Sequence, residues 1–538
     1  MVSCEAHAQF ACVGTLGAGD VTCTNTGTTA VPFLQDQLGA FNLTTTSSVA
    51  SNGITTTSVD GNVTATNSGN NADMLETSAS GLGNATSNNS GLIGSYIYTL
   101  TGSGNATTNN SGTVAQDITT MAQDGGNALT NNSGVADALT TYAITSGPLR
   151  GSATTINSGF VADGILTSAN GGGDAITRNS GTVVGELRTF TSNGGTGSGG
   201  GNATSINSGT VDSISNITND GGNATVINSG RILFAAGCCG PTPNGIFNVS
   251  ANGGDATTVN VGTVNGGIYT LTGLTSGGGN STLHNYGTVT GDVAVIAGAS
   301  SGGPGNATFN NYGTIYGDFV GVTVGAWDGK TTAYNAGRIL GGIRLGNTVG
   351  GSVTFSNAGL VDGTYGPFPT GVAVDLSRGD PSIPTTLNIL PGSRIIGQIG
   401  LNGDITDPSA VGTRVNILGG HDISSVLTFG GGCVCGNGLL DTGSVVNVTG
   451  GAPYVINGDT VAILDPTSFA AADRNVVDVT RTISSLVTSR LTNPAPISGN
   501  GSNAMGFAPS GNVARDMAND AFSGISTLAY ANNDRVLL

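Results

Sequence analysis

Lysine is almost missing from this chain: Lys330 stands alone beside 14 arginines in 538 residues. Charged residues make up 9% of the sequence, and the formal net charge is −17. An acidic, lysine-poor surface argues against a nucleic-acid partner and against anionic membranes, both of which need clustered cations. Glutamate occurs three times (Glu5, Glu76, Glu186), histidine three times (His7, His284, His421) and tryptophan once. That leaves few side chains suited to general acid or base work. There is no uninterrupted apolar run of about 18 residues, so no segment reads as a membrane-spanning helix.

Glycine (92 residues), threonine, serine and asparagine fill the space. Such a composition usually accompanies disorder, but disordered tracts lack regular apolar positions. Here Asn-x-Gly returns thirteen times, at Asn67, Asn89, Asn110, Asn132, Asn157, Asn179, Asn207, Asn228, Asn260, Asn285, Asn311, Asn335 and Asn357. The spacings run from 21 to 32 residues, the period of a solenoid whose coils bury their apolar faces only by stacking. Two residues after the glycine stands Val or Ile in eleven copies, and four further on another apolar residue often follows, as at Ile97, Ile118, Ile165, Leu187, Ile268, Val293, Phe319 and Ile343. These even spacings belong to strands. Gly is expected to supply positive φ at a repeated corner, and Asn to tolerate αL and bond its own backbone. Stacked rungs about 4.8 Å apart also let the asparagines form an amide ladder. The motif therefore reads as structural. The core is expected to be thin and continuous, built from small apolar residues, with roughly 18 rungs along about 90 Å.

The cysteines are Cys4, Cys12, Cys23, Cys238, Cys239, Cys433 and Cys435. Ala6-His7-Ala8 before Gln9 fits signal-peptidase cleavage, so residues 1–8 read as a signal-peptide remnant, although the pattern also arises by chance in a Gly/Ala-rich chain. Cleavage would leave six cysteines, which suits an oxidising compartment. Cys12 and Cys23 are the expected pair, whereas Cys238-Cys239 and Cys433-Val434-Cys435 are too tight for relaxed bridges within each pair.

Residues 9–66 read as a cap with first coils, 67–365 as regular coils and 366–460 as looser coils. In the last group 387–390, 415–418 and 446–448 look like cognate strands. Extra length at Ser192–Gly201, Gly237–Asn244, Ser300–Gly305 and Trp327–Lys330 is expected to form loops. Asp465-Pro466 then starts an amphipathic helix over 466–491, carrying Val476, Val479, Ile483 and Leu486. Residues 492–538 read as a flexible tail.

Parallel β-helices also carry polysaccharide lyases and hydrolases, which need paired carboxylates or a base with cations. No such cluster is legible. Asp163-Gly164 and Asp362-Gly363 read as corners, and His284 and His421-Asp422 lie far apart in sequence. Gly-Gly-Asn-Ala-Thr at Gly221 and Gly-Gly-Asp-Ala-Thr at Gly253 lack the spacing of calcium-binding nonapeptides. Asn-Ala-Thr at Asn84, Asn105, Asn202, Asn223 and Asn306 is read as leading into strands, not as glycan acceptors. Threonine runs at 44–46 and 55–57 suggest ice binding but do not recur at matched positions in every coil. No catalytic, cofactor or metal residue is assigned.

The coils at 285–293 and 311–319, of the form Asn-x-Gly-x-Ile/Val-x-Gly-x-Val/Phe, resemble passenger domains of Gram-negative autotransporters. Ala462–Asp473 with Arg474, Ile483–Val487, Arg490 and Leu491 resembles their pre-barrel segment. The resemblance implies an all-β fold, a right-handed parallel β-helix with a short C-terminal α-helix leading into an outer-membrane barrel. The barrel itself is not in this chain. It also implies export through the periplasm to the cell surface or medium. The expected function is a non-enzymatic passenger that binds a host or abiotic surface, glycans or itself. The alternatives are a polysaccharide-active enzyme and a remnant without a partner.

Overall fold

A computed structural model describes residues 10–14, 21–25, 33–37, 39–45, 53–145, 149–192, 200–233, 245–273, 277–298, 303–318, 321–366, 371–377, 379–402, 411–418, 425–431, 445–450, 452–457, 460–464 and 467–492. The chain divides into two compact units, Met1–Ser468 and Phe469–Leu538. The first is a parallel β-solenoid. Most of the helix, Thr467–Thr492, lies in the second; its positions Val476, Val479, Ile483 and Leu486 are exposed. Asp465 and Pro466, expected to start the helix, lie outside the described residues, as does everything beyond Thr492.

Three parallel ladders make the solenoid. The first sheet stacks eighteen strands from Val21–Asn25 to Val445–Thr449, in register throughout its middle. It includes the expected cognate strands Thr385–Ile389, Thr413–Leu418 and Val445–Thr449. The second sheet runs alongside, beginning with Phe33–Gln37, Ile54–Ser58, Leu75–Ala79 and Ile97–Thr101. A third, of two- and three-residue strands such as Leu92–Ile93 and Thr314–Tyr316, closes each coil. Complete turns number about fourteen. The first sheet alone reaches the expected count of roughly 18 rungs.

Both ends change direction. Phe10–Val13 lies antiparallel on Val21–Asn25 and is bridged to it by the Cys12–Cys23 disulfide, as expected from sequence. At the other end Thr460–Ile463 pairs antiparallel with both Ser425–Gly431 and Tyr454–Asn457. Cys4, Cys238, Cys239, Cys433 and Cys435 lie outside the described residues.

The core is stratified, and only part of it is the apolar stack that the sequence suggests. Ile93, Val114, Val161, Val183, Val211, Ile232 and their counterparts face inward from the third sheet. They meet Ile97, Ile118, Leu139, Ile165 and Leu187 from the second sheet in one continuous cluster. Phe319, expected in this series, lies outside the described residues. Toward the first sheet the interior turns polar. Its strands read Ala-x-Thr-x-Asn with all three named residues inward, as in Ala106–Asn110 and Ala153–Asn157. The middle hydroxyls interleave with threonines of the second sheet. Thr77, Ser87, Thr99, Thr108, Thr120, Thr130, Thr141, Thr155, Thr167, Thr177, Thr189 and Ser205 form one chain of eleven bonds of 2.7–2.8 Å. Asn216, Asn248, Thr258 and Thr270 extend it. Beyond that point the same positions become the apolar Leu283, Phe309, Ala333 and Phe355. Among the described residues the one buried side-chain polar atom without a partner is Thr145 Oγ1. A satisfied hydroxyl chain thus replaces hydrocarbon without the desolvation cost of unpaired groups.

The expected amide ladder forms, but the corner does not work as expected. Each motif asparagine is the last residue of a first-sheet strand, points inward and is at most 2% exposed. From Asn67 to Asn357 each Nδ2 donates to the next Oδ1 at 2.7–2.9 Å, twelve bonds without a break. The amide also donates to the glycine carbonyl two residues on, as in Asn89 Nδ2 to Gly91 O at 3.2 Å. The motif glycines do not have positive φ. Their constraint is vertical: a Cβ on Gly91, Gly112 or any counterpart to Gly359 would fall on the carbonyl oxygen of the motif glycine one rung earlier, far inside van der Waals contact. Close backbone approach, not left-handed conformation, selects glycine here.

Candidate binding surface

The ionisable side chains sit on corners and outer faces. His284 lies on the outer face of the first sheet, its Nδ1 3.2 Å from the Asn310 amide. His421 and Asp422 lie outside the described residues. Thr55 donates to the Glu76 carboxylate at 3.4 Å. Asp117, Asp137 and Asp163 lie in successive coils, on the corner that leads into the second sheet. Burial, then the Asp137 charge, hold the Asp117 carboxyl above its usual value of 3.8; the Ala138 backbone N–H opposes this and Asp163 adds to it. A raised native pKa means the folded state holds its proton more tightly, so stability falls as pH climbs from 3.8 through the native value. Asp117→Asn is therefore expected to melt higher than the parent at neutral pH and equally below pH 3.8, in paired thermal scans. Among the described residues no three His, Cys, Asp or Glu side chains gather as a metal site.

The Asn-Ala-Thr asparagines lead into first-sheet strands, as read from sequence, and hold rungs together. Asn84 Oδ1 accepts from the Asn105 backbone N–H at 2.8 Å, Asn105 from Asn127, Asn202 from Asn223, and Asn306 from Lys330. The Gly-Gly-Asn and Gly-Gly-Asp segments belong to the same column: Asn223 Oδ1 accepts from Asp255, and Asp255 Oδ1 from Asn280. These oxygens are already engaged by the rung above.

Threonine recurs at matched outward positions in most coils but, as expected from sequence, not in every one. On the first sheet Thr64, Thr86, Thr107, Thr154, Thr204, Thr225, Thr257, Thr282, Thr308, Thr332, Thr354 and Thr386 stand in one column, broken by Leu129 and Ile176. The neighbouring column is mixed. It passes from Asn88, Asn109 and Asn131, linked amide to amide at 2.8–2.9 Å, to Ile156, Arg178, His284 and Tyr334. Single-sequence alternation hides the threonine column because inward threonines occupy the intervening positions.

Of the four expected loop insertions, Trp327–Lys330 is not a loop. It belongs to the strand Val322–Asn335, which runs around the corner from second sheet to first, paired with Ile343–Asn357 through a shift at Ala326/Asp328. The central parts of the other three, 193–199, 237–244 and 300–302, lie outside the described residues.

Tyrosines concentrate on the late coils. Tyr286 and Tyr312, each following a motif asparagine, stack with centroids 5.0 Å apart and planes 4° from parallel. Tyr334 lies against Tyr312 at 5.7 Å and 56°. At the far end of the same short strands, Tyr316 meets Tyr365 at 5.9 Å and 55°. The latter two wall a cleft of about 600 Å³, completed by Thr290, Gly317, Asp318 and Gly366. Sequence reading missed this cleft. Its signal was the Tyr-Gly-Asp of one coil and the Thr-Tyr-Gly of another, which only rung stacking brings together. The arrangement offers aromatic faces, a carboxylate and peptide groups, the chemistry of binding. Comparison with protein-family models, curated proteins and solved structures returns no match to this chain.

Proposed function

We propose that this chain is a non-enzymatic passenger of autotransporter type, exposed on or released from a Gram-negative cell, that works by adhesion. The observation that carries the reading is the outward threonine column, which fills all but two rungs from Thr64 to Thr386 beside a varied second column. Many weak contacts on one rigid face add into strong attachment without any single deep site. The carboxylates support the same reading, since the Asp and Asn oxygens along the strand-leading column are bound to backbone of the next coil. Export through an outer-membrane barrel belongs to the proposal and is supported by the helix Thr467–Thr492.

The test is display of the chain on bacteria that lack it, with attachment to protein-coated, glycan-coated and bare surfaces counted under flow. Purified chain is incubated in parallel with pectin, alginate and other polyuronates. Attachment or cell clumping above the undisplayed control, without new reducing ends or unsaturated products, is the expected result. Turnover at enzyme-like rates would replace this reading with a polysaccharide-active enzyme.

A further inference from the structure

We propose that the Tyr316–Tyr365 cleft binds an uncharged saccharide. This rests on the adhesive reading and names the ligand class for one place on the surface. The two tyrosine pairs differ in geometry. Tyr286 and Tyr312 are parallel and cover one another's faces. Tyr316 and Tyr365 are tilted by 55° with centroids 5.9 Å apart, and Tyr365 is 43% exposed. A pyranose presents a face of C–H groups ringed by hydroxyls. Aromatic faces take the C–H groups by dispersion and by the attraction of polarised C–H for the negative ring face.

The polar lining fixes the charge of the ligand. Asp318, exposed at the edge, brings a carboxylate that accepts hydrogen bonds and donates none while ionised. It suits vicinal hydroxyls and repels uronates, sulfates and phosphates. Among the described residues no Lys, Arg or His lines the cleft to offset it. Thr290 already donates to Asn265 Oδ1 at 2.7 Å, so its oxygen is left as an acceptor and again selects a hydroxyl. Between the rings the lining is bare peptide. Gly366 has φ +104°, a conformation that residues with a side chain rarely adopt. Gly317 cannot carry a Cβ either, because the Gly321 backbone occupies that place. A ligand can therefore approach close to the main chain, where N–H and C=O groups complement sugar hydroxyls.

The full chain should be titrated by calorimetry with cellohexaose, maltohexaose and mannohexaose as uncharged probes, and with trigalacturonate as the acidic one. At least one uncharged probe is expected to bind, and trigalacturonate is not. Tyr365→Ala should weaken binding by about tenfold or more, whereas Tyr365→Phe, which keeps the ring, should stay within about threefold. Tyr312→Ala, outside the cleft, should leave affinity unchanged. Tyr365 is exposed, so unchanged melting of its variants is expected and certifies the fold. The cleft assignment is overturned if no uncharged probe binds, if Tyr365→Ala binds like the parent, or if trigalacturonate binds best. A displayed chain that attaches normally with Tyr365→Ala overturns the cleft's part in adhesion and leaves the adhesive reading standing; a parent chain that never attaches overturns the adhesive reading.

Discussion

Gly209→Ala is expected to cost about 4 kcal/mol or more, among the largest single-residue effects available in this chain. The new Cβ would land on the carbonyl oxygen of Gly181 in the preceding rung. Thr210 N–H donates to that same oxygen at 3.0 Å, so the clash and a ladder bond compete for one atom. Backbone must move, and it must move in two rungs. In a solenoid stability is a sum of rungs and their nearest-neighbour interfaces. Calorimetry should therefore show one transition in the parent and two in the variant, one for each side of the fault. Gly371→Ala is the control. Its glycine has φ +72° and nothing within 4 Å of an added Cβ, so only the left-handed conformation is penalised, at about 1 kcal/mol. A Gly371 variant as damaged as the Gly209 variant would show that conformation, not vertical contact, governs these glycines.

Breaking the amide ladder at its middle ranks second. Asn179 accepts from Asn157 at 2.8 Å and donates to Asn207 at 2.9 Å. Asn179→Ala strands a buried donor on one side and a buried acceptor on the other. At about 1–3 kcal/mol for each unsatisfied group, a total loss of about 3–5 kcal/mol follows once the small void is included. Asn179→Asp gives the sharper result. An ionised aspartate still accepts from Asn157 but confronts Asn207 Oδ1 with a second acceptor. Protonation supplies the missing donor, so burial and the facing oxygen both raise the native carboxyl pKa. Stability of this variant should then rise as pH falls from neutral toward about 4, opposite to the usual acid loss of paired carboxylates. Urea unfolding at several pH values checks it. A variant indifferent to pH would mean that the ladder amide carries no stability.

The stack was legible because glycine punctuates each coil and Val or Ile follows at a fixed offset. Ile93, Val114 and Val161 are buried where that offset places them. The amide ladder was legible because strand spacing alone brings repeated asparagines together. Why glycine recurs was not legible: periodicity says that the position excludes a side chain, while the cause depends on where the neighbouring carbonyl falls. The polar half of the core was hidden for a different reason. In Ala106–Asn110 the inward Thr108 and the outward Thr107 and Asn109 have similar hydropathy, so alternation in space leaves almost none in sequence. The cleft needed three dimensions, since Tyr316 and Tyr365 belong to different coils and nothing in either coil specifies the other.

The hydroxyl chain from Thr77 to Ser205 gives the interior a sense of direction. Each hydroxyl has one proton to donate, so in an unbroken, fully bonded run the O–H groups point the same way along the axis except across a hydroxyl that accepts from both neighbours. One reversed hydroxyl leaves two oxygens facing without a proton and two protons facing elsewhere. Such a fault heals only by travelling to an end of the chain, flipping each hydroxyl as it passes. Proton orientation in one coil is thereby correlated with that many coils away, a reach that stacking between adjacent rungs does not provide. The interior behaves as a single polar filament, whose reorientation is collective and whose hydroxyl protons exchange from its ends inward.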